Sequence, residues 1–210
     1  MLYVSEIFLS IQGESSMSGL PCVFIRLSGC NLRCRFCDTR GALKICAGNP
    51  VPVRQIPGMI KHFPCRYVCV TGGEPLMQAK TRLLLGKLLS AGYRVSLETN
   101  GSMDITSLPR KVHIVMDIKC PSSGYSRSNR YANLSSIKPS DDIKFVIGSR
   151  KDYEWTKRVI SARNIASKTP NILLSPADGR IKPRTLAAWM LKDGIPARMQ
   201  LQLHKILNLK

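Results

Sequence analysis

The stretch Cys22-Val23-Phe24-Ile25-Arg26-Leu27-Ser28-Gly29-Cys30-Asn31-Leu32-Arg33-Cys34-Arg35-Phe36-Cys37-Asp38-Thr39 decides the architecture. Its first half alternates, with Val23, Ile25 and Leu27 on one face and Phe24, Arg26 and Ser28 on the other, which is the period of a strand. An arginine on an inward strand face needs an anionic partner, either a ligand carboxylate or a nearby glutamate. The second half sets three cysteines within eight residues in a C-x3-C-x2-C spacing, so one loop can wrap its sulfurs around a single inorganic centre. Iron–sulfur clusters are normally held by four cysteine thiolates, and three local ligands leave one iron without a protein sulfur. An open metal position admits an exchangeable ligand, as catalytic zinc sites do and structural ones do not. The bland alternative is a structural zinc knuckle whose fourth ligand comes from Cys46, His62, Cys65 or Cys69.

Around this stretch the chain alternates strands and helices. Residues 7–10 read as a strand running into the turn Gln12-Gly13-Glu14-Ser15. Further strand patterns occupy residues 67–71, 94–98, 112–118, 143–147, 171–175 and 198–204. In the last of these, Met199, Leu201 and Leu203 share one face, and Arg198, Gln200, Gln202 and His204 the other. Helical stripes are Ala79, Leu83, Leu84, Leu88 and Ala91, stopped by Gly92, and Trp155, Val159, Ala162 and Ala166. A third places Leu186, Trp189 and Met190 between Pro183 and Gly194. This order favours an α/β fold with a mainly parallel sheet. Residues 40–66, rich in Gly and Pro, read as a loop-rich insertion within one domain spanning 1–210. In such folds functional residues gather at the carboxyl ends of strands. The cysteine loop, Gly72-Gly73-Glu74-Pro75, Thr99-Asn100 and Lys119-Cys120-Pro121-Ser122 all fall there.

Composition sets broader bounds. The 210 residues are 44% hydrophobic, enough for a sizeable core. No apolar run approaches the ~20 residues that span a bilayer, and the N-terminus lacks a signal peptide's basic region and apolar core, so a cytoplasmic location is expected. Eight cysteines in a reducing compartment point to metal binding or buried thiols rather than disulfides. Cys22, Cys46, Cys65, Cys69 and Cys120 default to small buried side chains, and His62 and His113 to structural roles. A net charge of +19 implies anionic partners, namely nucleic acid, an acidic protein or a negatively charged substrate.

The cysteine loop resembles the cluster loop of the radical S-adenosylmethionine superfamily, and Gly72-Gly73-Glu74-Pro75 resembles the segment that holds the cofactor's methionine amino group there. Gln12-Gly13-Glu14, the run Pro21 to Cys30, Cys37-Asp38-Thr39 and Gln202-Leu203-His204-Lys205 narrow the resemblance to the 7-carboxy-7-deazaguanine synthase family, over nearly the whole chain. The resemblance implies a partial, modified (β/α) barrel with about six mainly parallel core strands. It implies a [4Fe-4S] cluster on Cys30, Cys34 and Cys37 that cleaves S-adenosylmethionine to a 5′-deoxyadenosyl radical. The substrate would be 6-carboxy-5,6,7,8-tetrahydropterin, contracted to 7-carboxy-7-deazaguanine with loss of ammonia, on the route to queuosine. Thr39 matches a magnesium ligand. Gln12, Gly13, Glu14, Arg26, Thr71, His204 and Lys210 match substrate positions. Gly72, Gly73, Glu74, Glu98, Asn100, Lys119, Pro121, Ser122, Ser175, Pro176, Ala177 and Asp178 are placed with the cofactor. A homodimer is also implied, and the basic charge suits an acidic electron donor of the flavodoxin type. No side chain is assigned as a catalytic acid or base, because the hard step belongs to the cofactor. Two features depart from the family pattern: Ser15 stands where glycine is more usual, and Arg40-Gly41 where aromatic neighbours are. Two rivals remain: a glycyl-radical activase of the same superfamily acting on a polypeptide, and a zinc module binding nucleic acid.

Overall fold

The computed structural model describes residues 1–209, so the expectation for Lys210 lies outside the described residues. Its nine strands are β1 (Leu2–Ile11), β2 (Pro21–Leu27), β3 (Asn49–Val51), β4 (Tyr67–Gly72), β5 (Arg94–Thr99), β6 (His113–Asp117), β7 (Asp142–Ile147), β8 (Ile172–Pro176) and β9 (Arg198–Met199). Helices are α1 (Ile56–Met59), α2 (Thr81–Ser90), α3 (Arg150–Ala162), α4 (Pro183–Asp193) and α5 (Leu203–Ile206). The strands form one open sheet in the order β3-β1-β2-β4-β5-β6-β7-β8-β9. From β2 to β9 every pairing is parallel, and β1 runs antiparallel to β2 and β3. The core of the fold is thus the six-strand parallel run β2 to β8, as expected of a partial barrel.

Both faces of the central strands are covered, which explains their near-continuous apolar sequences. Val23, Ile25 and Leu27 of β2 and Val68 and Val70 of β4 join the main core against the helices. On the opposite face Cys22, Phe24, Tyr67 and Cys69 form a second cluster with Phe8, Met17 and Cys65. β7 divides in the same way: Ile143, Phe145 and Ile147 are fully buried in the main core, while Lys144 and Val146 face a cavity on the other side.

The helices follow local signals, with corrections to the stripes. Ser149 caps α3 by accepting from the Asp152 N–H at 3.2 Å. Gly92 and Gly194 end α2 and α4 in the left-handed region, with φ of 81° and 57°. In α2 the buried positions are Thr81, Leu84, Leu85 and Leu88, and Leu83 is 52% exposed. In α3 they are Asp152, Tyr153, Thr156 and Ile160, with Trp155 and Val159 at the margin and Ala162 exposed. In α2 Leu84 and Leu88 are buried as expected, with Leu85 in place of Leu83, and in α4 so are Leu186 and Met190. The α3 stripe lies about one residue off, because neighbouring residues on a helix differ by only about 100° and tertiary contact selects between them.

The largest correction is at the C-terminus. The expected strand at residues 198–204 stops at Met199, after the Gln200 N–H bonds the Leu174 carbonyl at 2.9 Å. The chain then turns across the sheet, and the Leu203 N–H bonds the Gly13 carbonyl at 3.0 Å, starting the single turn α5. Gln200 is buried and Leu201 exposed, the reverse of an amphipathic strand packed on its apolar face. Residues 40–66 contain two 3-10 turns, β3 and α1.

Candidate active site

One cavity of about 750 Å³ opens at the carboxyl ends of the parallel strands and is walled from Phe24 and Arg26 of β2 round to Ser175 of β8. It collects most of the polar residues singled out in the sequence: Cys30, Cys34, Cys37 and Thr39; Gln12, Glu14, Arg26 and Thr71; Gly72, Gly73, Glu98, Asn100 and Lys119; the turn from Ser175 to Asp178; and His204. Gly13, Glu74, Pro121 and Ser122 do not border it.

The cysteine loop is built between two anchors. At its start the Gly29 and Cys30 N–H groups bond the Ala42 and Leu43 carbonyls at 2.8 and 3.0 Å, which makes the turn after Thr39 part of its frame. Further along, the Arg35 N–H bonds the Ser123 carbonyl at 3.2 Å, tying the loop to the turn after β6. The Leu32 N–H points at the Cys30 sulfur at 3.4 Å, and the Asn100 amide at 3.9 Å. Burial pushes the Cys30 and Cys34 thiols above their ordinary value; nearby negative charge adds to this and Lys119 opposes it. Cys30, Cys34 and Cys37 all border the cavity, and two N–H donors aim at the Cys30 sulfur, which fits a cubic cluster that takes each thiolate at a separate corner. Cys65 and Cys69 belong to the second apolar cluster, while Cys46 is exposed and not buried as expected.

Gly72 and Gly73 have a role that the sequence did not suggest. A Cβ on Gly72, whose φ is 138°, would lie 2.0 Å from the Leu27 carbonyl oxygen, and one on Gly73 would lie 2.2 Å from that of Gly29. The glycines thus admit the backbone of the cysteine loop as well as any ligand. Glu74 is wholly buried beneath, accepting from the N–H groups of Leu76 and Asn100 at 3.0 and 2.7 Å and from the Thr99 hydroxyl at 2.9 Å. It braces the two strand ends. Pro121 faces outward, and Ser122 is held by the Asp152 carboxylate at 2.9 Å.

The opposite half of the cavity is a polar network. Gln12 is buried, donating to Glu98 at 3.3 Å, and Thr71 donates to the other Glu98 oxygen at 2.8 Å. Glu98 therefore sits with the residues expected around the substrate. Glu14 accepts from the Gln202 amide at 2.5 Å and from the Lys144 ammonium. Gln202 also reaches Asp38 at 3.3 Å, and the Thr39 hydroxyl donates to Asp38 at 3.0 Å. Arg26 is paired with Glu6 at 2.7 Å, the glutamate alternative raised from the sequence. Ser15 keeps the left-handed conformation that glycine favours, with φ of 70°, and its hydroxyl accepts from the Met17 N–H at 3.1 Å. The next residue is tied to β7: the Ser16 N–H bonds the Asp142 carboxylate at 2.7 Å, which also meets His113 at 3.2 Å. His113 thus has a partner, though no sequence signal showed it.

Lys144 and Asp117 are cavity residues that the sequence reading missed. Lys144 had a signal, a lone cation in an apolar strand, the same one that marked Arg26. Burial works against its charge, yet Glu14, Asp117 and Glu98 more than offset this and hold the ammonium above the ordinary lysine range. Lys119 behaves alike: burial opposes its charge, and Asp117, at 2.8 Å, and Cys34 outweigh it. Cations and carboxylates so interleaved in a partly dry cavity suit a small, polar, charged molecule.

Residues 24–174 match the model of the radical SAM superfamily. A 7-carboxy-7-deazaguanine synthase of Chlorobaculum tepidum is 44% identical over 207 residues, covering 97% of this chain and 93% of the relative. Another, from Methanospirillum hungatei, is 42% identical, covering 98% and 85%. The crystal structure of QueE from Escherichia coli superposes with a TM-score of 0.77 at 22% identity, covering 96% of this chain and 93% of that one. Superfamily membership implies a [4Fe-4S] cluster and S-adenosylmethionine, the pair that the three-thiol loop fits. With this match over nearly its full length and a site to accord with it, the chain belongs to the 7-carboxy-7-deazaguanine synthase family of radical SAM enzymes.

Proposed function

We propose that the chain converts 6-carboxy-5,6,7,8-tetrahydropterin to 7-carboxy-7-deazaguanine, with loss of ammonia, in the biosynthesis of queuosine and related 7-deazapurines. The observation that carries this reading is the division of one cavity into a thiol-lined end and a polar end built from Gln12, Glu14, Thr71 and Glu98. Cys30, Cys34 and Cys37 would hold the cluster, which when bound and reduced would supply the electron for reductive cleavage of S-adenosylmethionine.

The protein's own residues bind and orient. Gly72, Gly73, Asn100, Lys119 and the turn from Ser175 to Asp178 border the cofactor's end of the cavity in this reading. Gln12, Glu14, Thr71, Glu98 and His204 take the pterin, and Arg26 swings from Glu6 to a carboxylate, for which its planar fork is suited. Gly13 and Glu74 act indirectly, one packed on the His204 ring and the other beneath Asn100. Thr39 would supply a hydroxyl oxygen to Mg2+, a cation that favours hard oxygen ligands, and the metal would help to bind the substrate carboxylate.

A cavity of about 750 Å³ falls in the range of small-molecule sites, which favours a pterin over the polypeptide of an activase. The chain is proposed to act as one domain, as a homodimer, in the cytoplasm; among the described residues no helix is long and apolar enough to cross a membrane. The +19 charge supports an acidic flavodoxin-type donor, whose reduction of the enzyme slows as salt is added. The direct test is anaerobic turnover of cluster-loaded protein with S-adenosylmethionine, reductant and the carboxytetrahydropterin. Carboxydeazaguanine is expected. Formation of 5′-deoxyadenosine without it would keep the chemistry and reject the substrate.

A further inference from the structure

Lys144 stands on the cavity face of β7, its side chain 14% exposed, and its ammonium meets one oxygen of Glu14, a residue 130 positions earlier in the chain. The Gln202 amide meets the other oxygen. Both contacts come from outside the turn that carries Glu14, so the carboxylate is held at each end by a separate part of the fold. Each carboxylate oxygen accepts two hydrogen bonds. With one contact on each oxygen, each keeps the capacity to accept one more hydrogen bond.

Two adjacent acceptors match two adjacent N–H donors, and the pyrimidine edge of a pterin offers such a pair in its ring N–H and exocyclic amine. We propose that Lys144 is a positioning residue of the substrate site, holding the Glu14 carboxylate in the orientation that receives that edge. The inference rests on the pterin reading of the cavity given above.

Stability gives no sufficient reason for this lysine. A buried ion pair is often replaceable by apolar groups with no loss, because desolvation offsets the attraction. Val146, two residues on and on the same face, shows what the strand accepts there. Lys144 also lies in the field of Glu98 and Asp117, so its charge balances the carboxylates that converge on this end of the cavity. Without it Glu14 keeps only the Gln202 amide, and repulsion from its acidic neighbours favours other orientations.

The test is calorimetric titration of 6-carboxy-5,6,7,8-tetrahydropterin into cluster-loaded enzyme saturated with S-adenosylmethionine, anaerobically and without reductant, so that no turnover occurs. Lys144→Met is expected to weaken binding about 10- to 100-fold, the scale of a lost hydrogen bond to a charged group. Lys144→Arg, which keeps the charge, is expected to recover most of it. In a Glu14→Gln background, where the carboxylate that Lys144 holds is already gone, Lys144→Met should cost little more. An equal loss in both backgrounds, or none in the wild-type background, overturns the inference while leaving the pterin reading intact. A wild-type enzyme that takes up S-adenosylmethionine but not the pterin refutes that reading, and the role of Lys144 with it.

Discussion

Gly73→Ala tests whether the glycine pair serves ligand approach or backbone packing. The added methyl would lie 2.2 Å from the Gly29 oxygen, 2.6 Å from its carbon and 2.9 Å from the Ala42 oxygen. All three are backbone atoms, which cannot rotate away as the end of a side chain can. Relief means separating the end of β4 from the cysteine loop. That stretches the bonds from the Gly73 N–H to Leu27 at 3.0 Å and from the Glu74 N–H to Gly29 at 2.8 Å. Overpacking costs about 1–3 kcal/mol and each weakened hydrogen bond about 0.5–1.5 kcal/mol, so the loss is on the order of 2–6 kcal/mol. For a chain of this size each kcal/mol moves Tm by about 2–4 °C, giving a fall of about 4–24 °C. Gly86 in α2 is the control, since a Cβ there meets nothing within 4 Å. Gly86→Ala should stabilise by about 0.5–1 kcal/mol through helix propensity. Thermal and urea unfolding of the cluster-free proteins separates packing from cofactor effects. If Gly73→Ala melts within about 2 °C of wild type yet binds S-adenosylmethionine poorly, the packing argument is wrong.

Burial raises the Glu74 carboxyl above its ordinary 4.5, against the hydrogen bonds from Asn100, Leu76 and Thr99, so the charged form is the one the fold penalises. Its contribution to stability is full below about pH 4.5 and is lost as pH rises through the raised value; unfolding free energy should therefore fall less with pH in Glu74→Gln, and an unchanged slope would refute this. Tyr153→Phe removes the bond from a fully buried hydroxyl to the Trp189 carbonyl at 3.0 Å, which joins α3 to α4, and should cost about 0.5–1.5 kcal/mol in urea unfolding without changing the m-value. Withdrawal of Mg2+ should raise KM for the pterin in the wild type and leave Thr39→Ala, already impaired, unresponsive; an equal response in both would remove Thr39 as the ligand.

The local pattern already carried the cysteine loop, the parallel strands and the ends of α2 and α4. Each is written within a few residues: sulfurs spaced along one loop, side chains alternating across a pleat, glycines at left-handed stops. The polar residues at strand ends were legible too, because a parallel sheet sends all those ends to one side. Whether each would line the cavity was not: Glu74 turned inward to hold the Asn100 backbone, and Ser122 is itself held by its backbone N–H to the Asp152 carboxylate.

Tertiary structure alone decided which distant groups meet. Lys144 and Glu14, Gln202 and Asp38, and Gly73 and Gly29 lie far apart in the chain, and no period in the sequence links them. It also ended the last strand after two residues: the alternation at 198–204 fits a strand, but a pattern cannot show where its neighbour β8 stops offering partners. Hydrophobic periodicity specifies which face of an element is buried, while pairing across the cavity depends on how those elements are brought together, which their local composition leaves open.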